Sequence, residues 1–141
     1  MKYSIIIPIY KEKKNLTKLT KILSQKLNSY KRKYEIIFVD DDSRDGSAEI
    51  YKKIKTNKTK FYTRNKKPRD LSMSVVYGLS KAKYKNIAVM DGDLQHRPSD
   101  LVKLMKIFEK DKYEIVIGSR KLDSFNSTNL NPLRSNIKII N

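Results

Sequence analysis

Short apolar runs alternate along this chain with segments whose apolar residues recur at helical spacing. Tyr3 to Ile7 is a β-rich run that stops at Pro8. Leu16, Leu19, Leu23 and Leu27 then share one helical stripe. Tyr34 to Val39 predicts a second strand, ended by an acidic cluster, and Ala48, Tyr51 and Ile54 a short helix. Lys60 to Thr63 fits a short strand, and Leu71 to Ala82 a helix with Val75, Val76 and Leu79 facing inward. Asn86 to Met90 is a fourth strand. Pro98 suits the first turn of a helix whose buried face is Leu101, Leu104, Met105 and Phe108, and Tyr113 to Gly118 is a fifth strand.

This order predicts the α/β class, with a mostly parallel sheet covered by helices on both faces. Strands that are almost continuously apolar, rather than alternating, agree with burial on both sides. In such sheets ligands bind beyond the carboxyl ends of the strands. The polar clusters of this chain fall at those ends: Pro8 to Glu12, Asp40 to Gly46, Asp91 to His96, and Gly118-Ser119-Arg120. Four polar clusters on one predicted rim are more than ordinary loops require.

After Arg120 the character changes. Leu122 to Asn131 is polar and rich in Asn and Ser, a mobile loop by composition. Leu133, Ile137 and Ile140 begin a new helical stripe that the sequence leaves after two turns, which suggests a chain truncated at its C-terminal side. The 141 residues suit one domain.

Charge and composition narrow the chemistry. The net charge of +17, from 32 Lys and Arg against 15 Asp and Glu, favours anionic partners or reflects a Lys-rich surface. The lysines are scattered, not clustered. With no cysteine, disulfides and thiolate metal sites are excluded. No apolar run reaches the roughly 18 residues of a membrane span, and the N-terminal apolar stretch is too short for a signal peptide. A cytoplasmic location is expected, unless a further region anchors the chain.

Asp91-Gly92-Asp93 places two carboxylates straight after a buried strand, where they suit a hard cation such as Mg²⁺ or Mn²⁺ bridging a diphosphate. Gly92 would admit a ligand close to the backbone, and Gln95 would add a carbonyl oxygen. Alone, an Asp-x-Asp pair is a weak signal, since such pairs also serve turns and caps. In Asp40-Asp41-Asp42-Ser43-Arg44-Asp45-Gly46, four carboxylates within seven residues need cations or hydrogen bonds to satisfy them. Asp45 or Ser47 suits the cap of the following helix. Part of this cluster matches a calcium loop, but position twelve is Lys52 instead of Glu, so that reading fails. Arg120 is placed to clamp phosphate; Arg64, Lys66, Lys67 and Arg69 form a basic patch that suits phosphate or solvent. His96 is the only histidine. No Gly-rich phosphate loop is present, which leaves a diphosphate to metal and arginine.

Taken in order, Ile7-Pro8-Ile9-Tyr10-Lys11-Glu12, Val39 to Ser47, Asp70-Leu71-Ser72 through Gly78-Leu79, Val89 to Pro98 and Gly118-Ser119-Arg120 resemble family-two glycosyltransferases of the GT-A fold. The chain is most similar to the dolichol-phosphate or polyprenol-phosphate mannose synthase group, over about residues 3 to 138. The resemblance implies one catalytic domain over 1–141 with an acceptor loop at about 121–132. It implies that Pro8, Tyr10 and Glu12 line the nucleotide pocket and that Val39 and Asp41 contact base and ribose. Asp91, Gly92 and Asp93 would meet the diphosphate, with Asp91, Asp93 and Gln95 around Mg²⁺ or Mn²⁺. Arg120 would face the phosphates of donor or acceptor, Arg134 would serve the acceptor phosphate, and Asp93 and Arg120 would carry catalysis.

The implied reaction is an inverting transfer of a sugar, mannose from GDP-mannose, onto a polyprenol or dolichol phosphate, by an enzyme peripheral at the cytoplasmic face of a membrane. The alternatives are a family-two enzyme with another nucleotide sugar of the UDP-glucose type or a saccharide acceptor, and a basic nucleic-acid-binding module. The acidic clusters disfavour nucleic acid as a partner. Two positions depart from the family's usual pattern: Lys11 stands where Asn is usual, and Gly92 where Ala is frequent between the carboxylates.

Overall fold

The computed structural model describes residues 1–111, 113–118 and the strand at 137–140. It contains two compact units, Met1–Leu101 and Val102–Asn141. In the first, strand β1 (Lys2–Ile9) leads through helix α1 (Lys13–Ser29) to β2 (Lys33–Asp40), then through α2 (Ser47–Ile54) to β3 (Thr59–Thr63). Helix α3 (Leu71–Lys81) returns the chain to β4 (Asn86–Val89). Helix α4 (Pro98–Asp111) runs across the boundary between the units, and β5 (Ile115–Gly118) and β6 (Ile137–Ile140) follow in the second.

The four-stranded sheet has the order β3-β2-β1-β4, and every pairing in it is parallel. β1 and β2 pair over eight residues, from Lys2 with Lys33 to Ile9 with Asp40. Both are buried on two faces, which their unbroken Ile, Val and Phe content requires. Successive crossovers run outward to β3 and then reverse to β4. Right-handed connections therefore put α1 and α2 on one face and α3 on the other. Side chains agree: Tyr51 of α2 packs edge-on to Phe38 and stacks on Phe61, whereas Gly78 of α3 lies against Ile6 and Val39. The helices flank the sheet on both faces, as the alternating pattern predicts.

β1 runs past the expected stop, through Pro8 to Ile9. Proline is tolerated there because the Ile6 carbonyl accepts from Met90 N, so residues 6 and 8 both turn toward β4. β4 has ended by that level, so the missing N–H costs no ladder bond.

The inward face of α3 is also different from expectation. Ser74 and Gly78 are buried, Val75 is half-buried, and Val76 and Leu79 are 51% and 43% exposed. A β-carbon on Gly78 would lie 2.5 Å from Ile6 Cγ2, so small residues one turn apart set how closely the helix sits on the sheet. Leu16, Leu19, Leu23 and Leu27 of α1 are buried as their spacing predicts.

In the second unit the expected fifth strand begins at Ile115 and pairs antiparallel with β6 in a separate two-stranded sheet. The helical stripe expected at Leu133, Ile137 and Ile140 is not formed: Ile137–Ile140 is a strand, and Leu133 lies outside the described residues. Three isoleucines in four residues, branched at the β-carbon, favour the extended backbone.

Candidate functional site

Parallel pairing brings the turns after β1, β2, β3 and β4 to one edge of the sheet. The chain leaves β1 toward β2 on one side, while β4 lies on the other, so the switch point of the topology falls between β1 and β4. Tyr10 and Glu12 follow β1 there, and Asp91-Gly92-Asp93 follows β4. Among the described residues, four of the five non-glycine positions with positive φ, Lys11, Asp42, Arg44 and Leu94, lie in these rim turns.

Gly92 fixes the approach of the two carboxylates to β1. It is buried, and a β-carbon there would lie 2.6 Å from Ile9 Cγ2 and 3.5 Å from the Pro8 carbonyl. The glycine thus serves a close contact with β1. Asp91 Oδ2 stands 3.3 Å from His96 Nδ1, both side chains being a little over two-fifths exposed. Asp93 Oδ1 accepts from the Gln95 main-chain N at 2.9 Å, which closes the turn. Among the described residues no three His, Cys, Asp or Glu side chains converge as a metal site. Two half-buried carboxylates are nonetheless a fitting pair of oxygen donors for a hard cation.

The acidic cluster after β2 has a different task. Asp41 is buried and fully engaged: Arg64 Nη1 donates to its Oδ1 at 2.6 Å, and Asp70 N to its Oδ2 at 2.7 Å. Arg64 is itself buried and also donates to the Pro68 carbonyl. Asp42 takes Arg44 at 3.0 Å and Lys67 at 3.3 Å, which hold its carboxyl below the usual range. Asp45 joins two helix starts, accepting from Lys13 N of α1 and Ser47 N of α2. Burial raises the Asp45 carboxyl, but bonds from Ser47, Lys13 and Ser43 outweigh that and hold it low. Asp40 is pushed the other way, up, chiefly by burial; its Oδ2 accepts from Ser43 N, and its Oδ1 has no hydrogen-bond partner among the described residues. The basic patch at 64–69 therefore supplies much of the counter-charge that the carboxylates demand.

Of the residues expected to meet a nucleotide, Tyr10 is 41% exposed and Glu12 half-buried, its Oε2 accepting from Asn15. Pro8 is buried at the end of β1, with its carbonyl toward Gly92. The side chain of Val39 is a core group, fully buried under Gly78, which leaves it no face for a base. Asp41 is turned inward as described. Arg120 and Arg134 lie outside the described residues, as does the whole loop at 121–132.

The family model for glycosyl transferase family 2 matches residues 4–140. The chain belongs to this family. Among curated relatives of this family-2 chain, the dolichol-phosphate mannosyltransferase of Pyrococcus furiosus is 38% identical over 120 residues, which is 85% of this chain and 33% of the relative. The dolichol-phosphate mannosyltransferase of Saccharomyces cerevisiae is 37% identical over 109 residues, 75% of this chain and 40% of that one. The family-2 chain thus spans a third to two-fifths of these relatives. Its fold is like that of S. aureus TarS 1–349, with a TM-score of 0.65 at 21% identity, covering 82% of this chain and 34% of that chain. The structure of TarS in complex with UDP-GlcNAc gives the same TM-score at 22% identity over 93% of this chain and 37% of that chain. Family membership favours the transferase reading over a nucleic-acid module.

Proposed function

We propose that this chain binds the nucleotide-sugar donor of an inverting glycosyltransferase, with mannose from GDP-mannose as the sugar and a polyprenol or dolichol phosphate as acceptor. The observation that carries this is the meeting of Tyr10 and Glu12 with Asp91-Gly92-Asp93 at the switch point of a parallel sheet, in a family whose similar members bear the name dolichol-phosphate mannosyltransferase. Asp91 and Asp93 would hold Mg²⁺ or Mn²⁺, with Gln95 beside them, and a cation held there would supply positive charge against the leaving diphosphate. Tyr10 offers an exposed ring for the base. The turn from Asp91 to Gln95, braced by Gly92 on Ile9 and by Asp93 on Gln95 N, orients the diphosphate.

Transfer forms a bond from an acceptor phosphate oxygen to the anomeric carbon and breaks the bond from that carbon to the leaving diphosphate. A phosphate acceptor is ionised near pH 7, so no strong general base is needed on this chain. Arg120 and Arg134 are assigned to the phosphates on the family resemblance. The charge of +17 suits a peripheral position on an anionic membrane at its cytoplasmic face. Among the described residues no helix is long and apolar enough to cross a membrane.

Calorimetric titration with GDP-mannose and UDP-glucose, with and without Mg²⁺ or Mn²⁺, tests the reading. Binding should need the metal and favour GDP-mannose. In Asp93→Ala it should weaken at least about ten-fold, a change of about 1.4 kcal/mol. Unchanged affinity in that variant would overturn the metal assignment, and a preference for UDP-glucose the sugar assignment.

A further inference from the structure

Two of the residues expected at the base, Val39 and Asp41, are turned away from the rim, one into the core and the other onto Arg64 and Asp70. Tyr10 is left 41% exposed, and two cations stand over its ring, Lys11, whose Nζ is 5.4 Å from the ring centre, and Arg69. The Arg69 guanidinium carbon stands 5.0 Å from the centre of the Tyr10 ring. Its Nε donates to the Asp41 carbonyl at 3.2 Å and its Nη2 to the Asp42 carbonyl at 3.3 Å. These two bonds tie a planar cation to the turn after β2, and its contact with Tyr10 sets it beside the turn after β1, while the side chain stays 44% exposed.

We propose that Arg69 is a specificity-determining residue of the donor site, whose guanidinium extends the Tyr10 ring into a preformed shelf for the flat face of a nucleobase. A phosphate role is disfavoured by the surroundings. Asp42 Oδ2 lies 3.9 Å from Arg69 Nη2, and two carbonyl dipoles already take two of its five N–H donors, so part of its charge is already answered. What remains open is a weakly hydrated planar face, the part of arginine that stacks on aromatic rings. Anchoring by main-chain carbonyls lowers the entropy lost when a base lands on it. The inference rests on the transferase reading of the rim, and deepens it at the base.

The test measures affinity of the unaltered chain, Arg69→Ala and Arg69→Lys for GDP, GMP and guanosine, and for UDP and UMP, at two salt concentrations. Stacking predicts that Arg69→Ala weakens guanosine, GMP and GDP by a similar factor, about ten-fold, with a smaller loss for the uridine nucleotides and little dependence on salt. Arg69→Lys keeps the charge and loses the plane, so it should behave like Arg69→Ala. A loss confined to the diphosphates, restored by Lys and steep in salt, would overturn the shelf in favour of a phosphate contact. Equal affinity of all three chains would overturn it outright. Thermal melts of each variant separate lost binding from lost fold; if Arg69→Ala melts early, the Arg69→Lys comparison decides. No nucleotide binding by the unaltered chain would instead sink the transferase reading, and this inference with it.

Discussion

A β-carbon on residue 92 would lie 2.6 Å from Ile9 Cγ2, a methyl on a side chain with little freedom to turn aside. The glycine between the two carboxylates is thus explained by its neighbour across the β1 edge. Gly92→Ala should displace the turn, cost about 1–3 kcal/mol of stability and weaken metal-dependent nucleotide binding. Adding Ile9→Ala removes the obstructing methyl, so the double variant should bind better than Gly92→Ala alone. Melting curves and titrations on the four chains of the cycle check this; strictly additive losses would refute the contact as the cause. That the two carboxylates follow β4 was readable from sequence, because the short apolar run before them marks a strand. Whether Asp41 faced ligand or core was not readable. That is decided by Arg64 and the Asp70 main chain, which the fold brings to it from more than twenty residues away.

Among the elements, α3 shows what the apolar pattern misses. Gly78→Ala in an exposed helix would gain about 1 kcal/mol of helix propensity. Here the added methyl meets Ile6 Cγ2 at 2.5 Å and Val39 Cγ2 at 3.1 Å, so a net loss of about 1–2 kcal/mol in urea unfolding is expected. Ser74→Ala on the same face should be neutral or slightly stabilising, because Ser74 Oγ is buried without a hydrogen-bond partner. If Gly78→Ala stabilised the chain, the close packing of α3 on the sheet would be wrong. Hydrophobic spacing locates a helix but reports only large side chains, so a face that approaches through Gly and Ser is silent, and Val76 and Leu79 were placed inward. β1, α1 and β2 were legible because they are long and their periods unambiguous. The tail was not: Ile137 and Ile140 satisfy a helical spacing as well as a strand, and pairing with β5 decides between them.

Over the molecule, stability depends on carboxylates held charged. Burial raises the Glu35 carboxyl, but bonds from Lys60, Ser4 and Lys83 N outweigh it, so it lies below its ordinary value of 4.5. Asp42 and Asp45 are lowered as well. For such groups the stabilisation is present above the unfolded value and is lost as pH falls through the folded one. Asp40, raised by burial, acts with the opposite sign, its contribution fading as pH rises. Three groups against one predict a net loss of stability below about pH 4.5. Protonation then leaves 32 Lys and Arg charges with fewer opposites, which adds repulsion. Urea midpoints from pH 7 to pH 3 should fall across that window, and Glu35→Gln should flatten the slope; a midpoint that rose on acidification would contradict the assignment. The Ile9 contact with Gly92 also bears on how such a chain can change by descent. Residue 92 gains a methyl only at a cost while an isoleucine stands at 9. A lineage moving from glycine to alanine between the carboxylates therefore has an easier path through a smaller residue on β1 first, so the order of the two substitutions matters although neither position is a neighbour of the other in sequence.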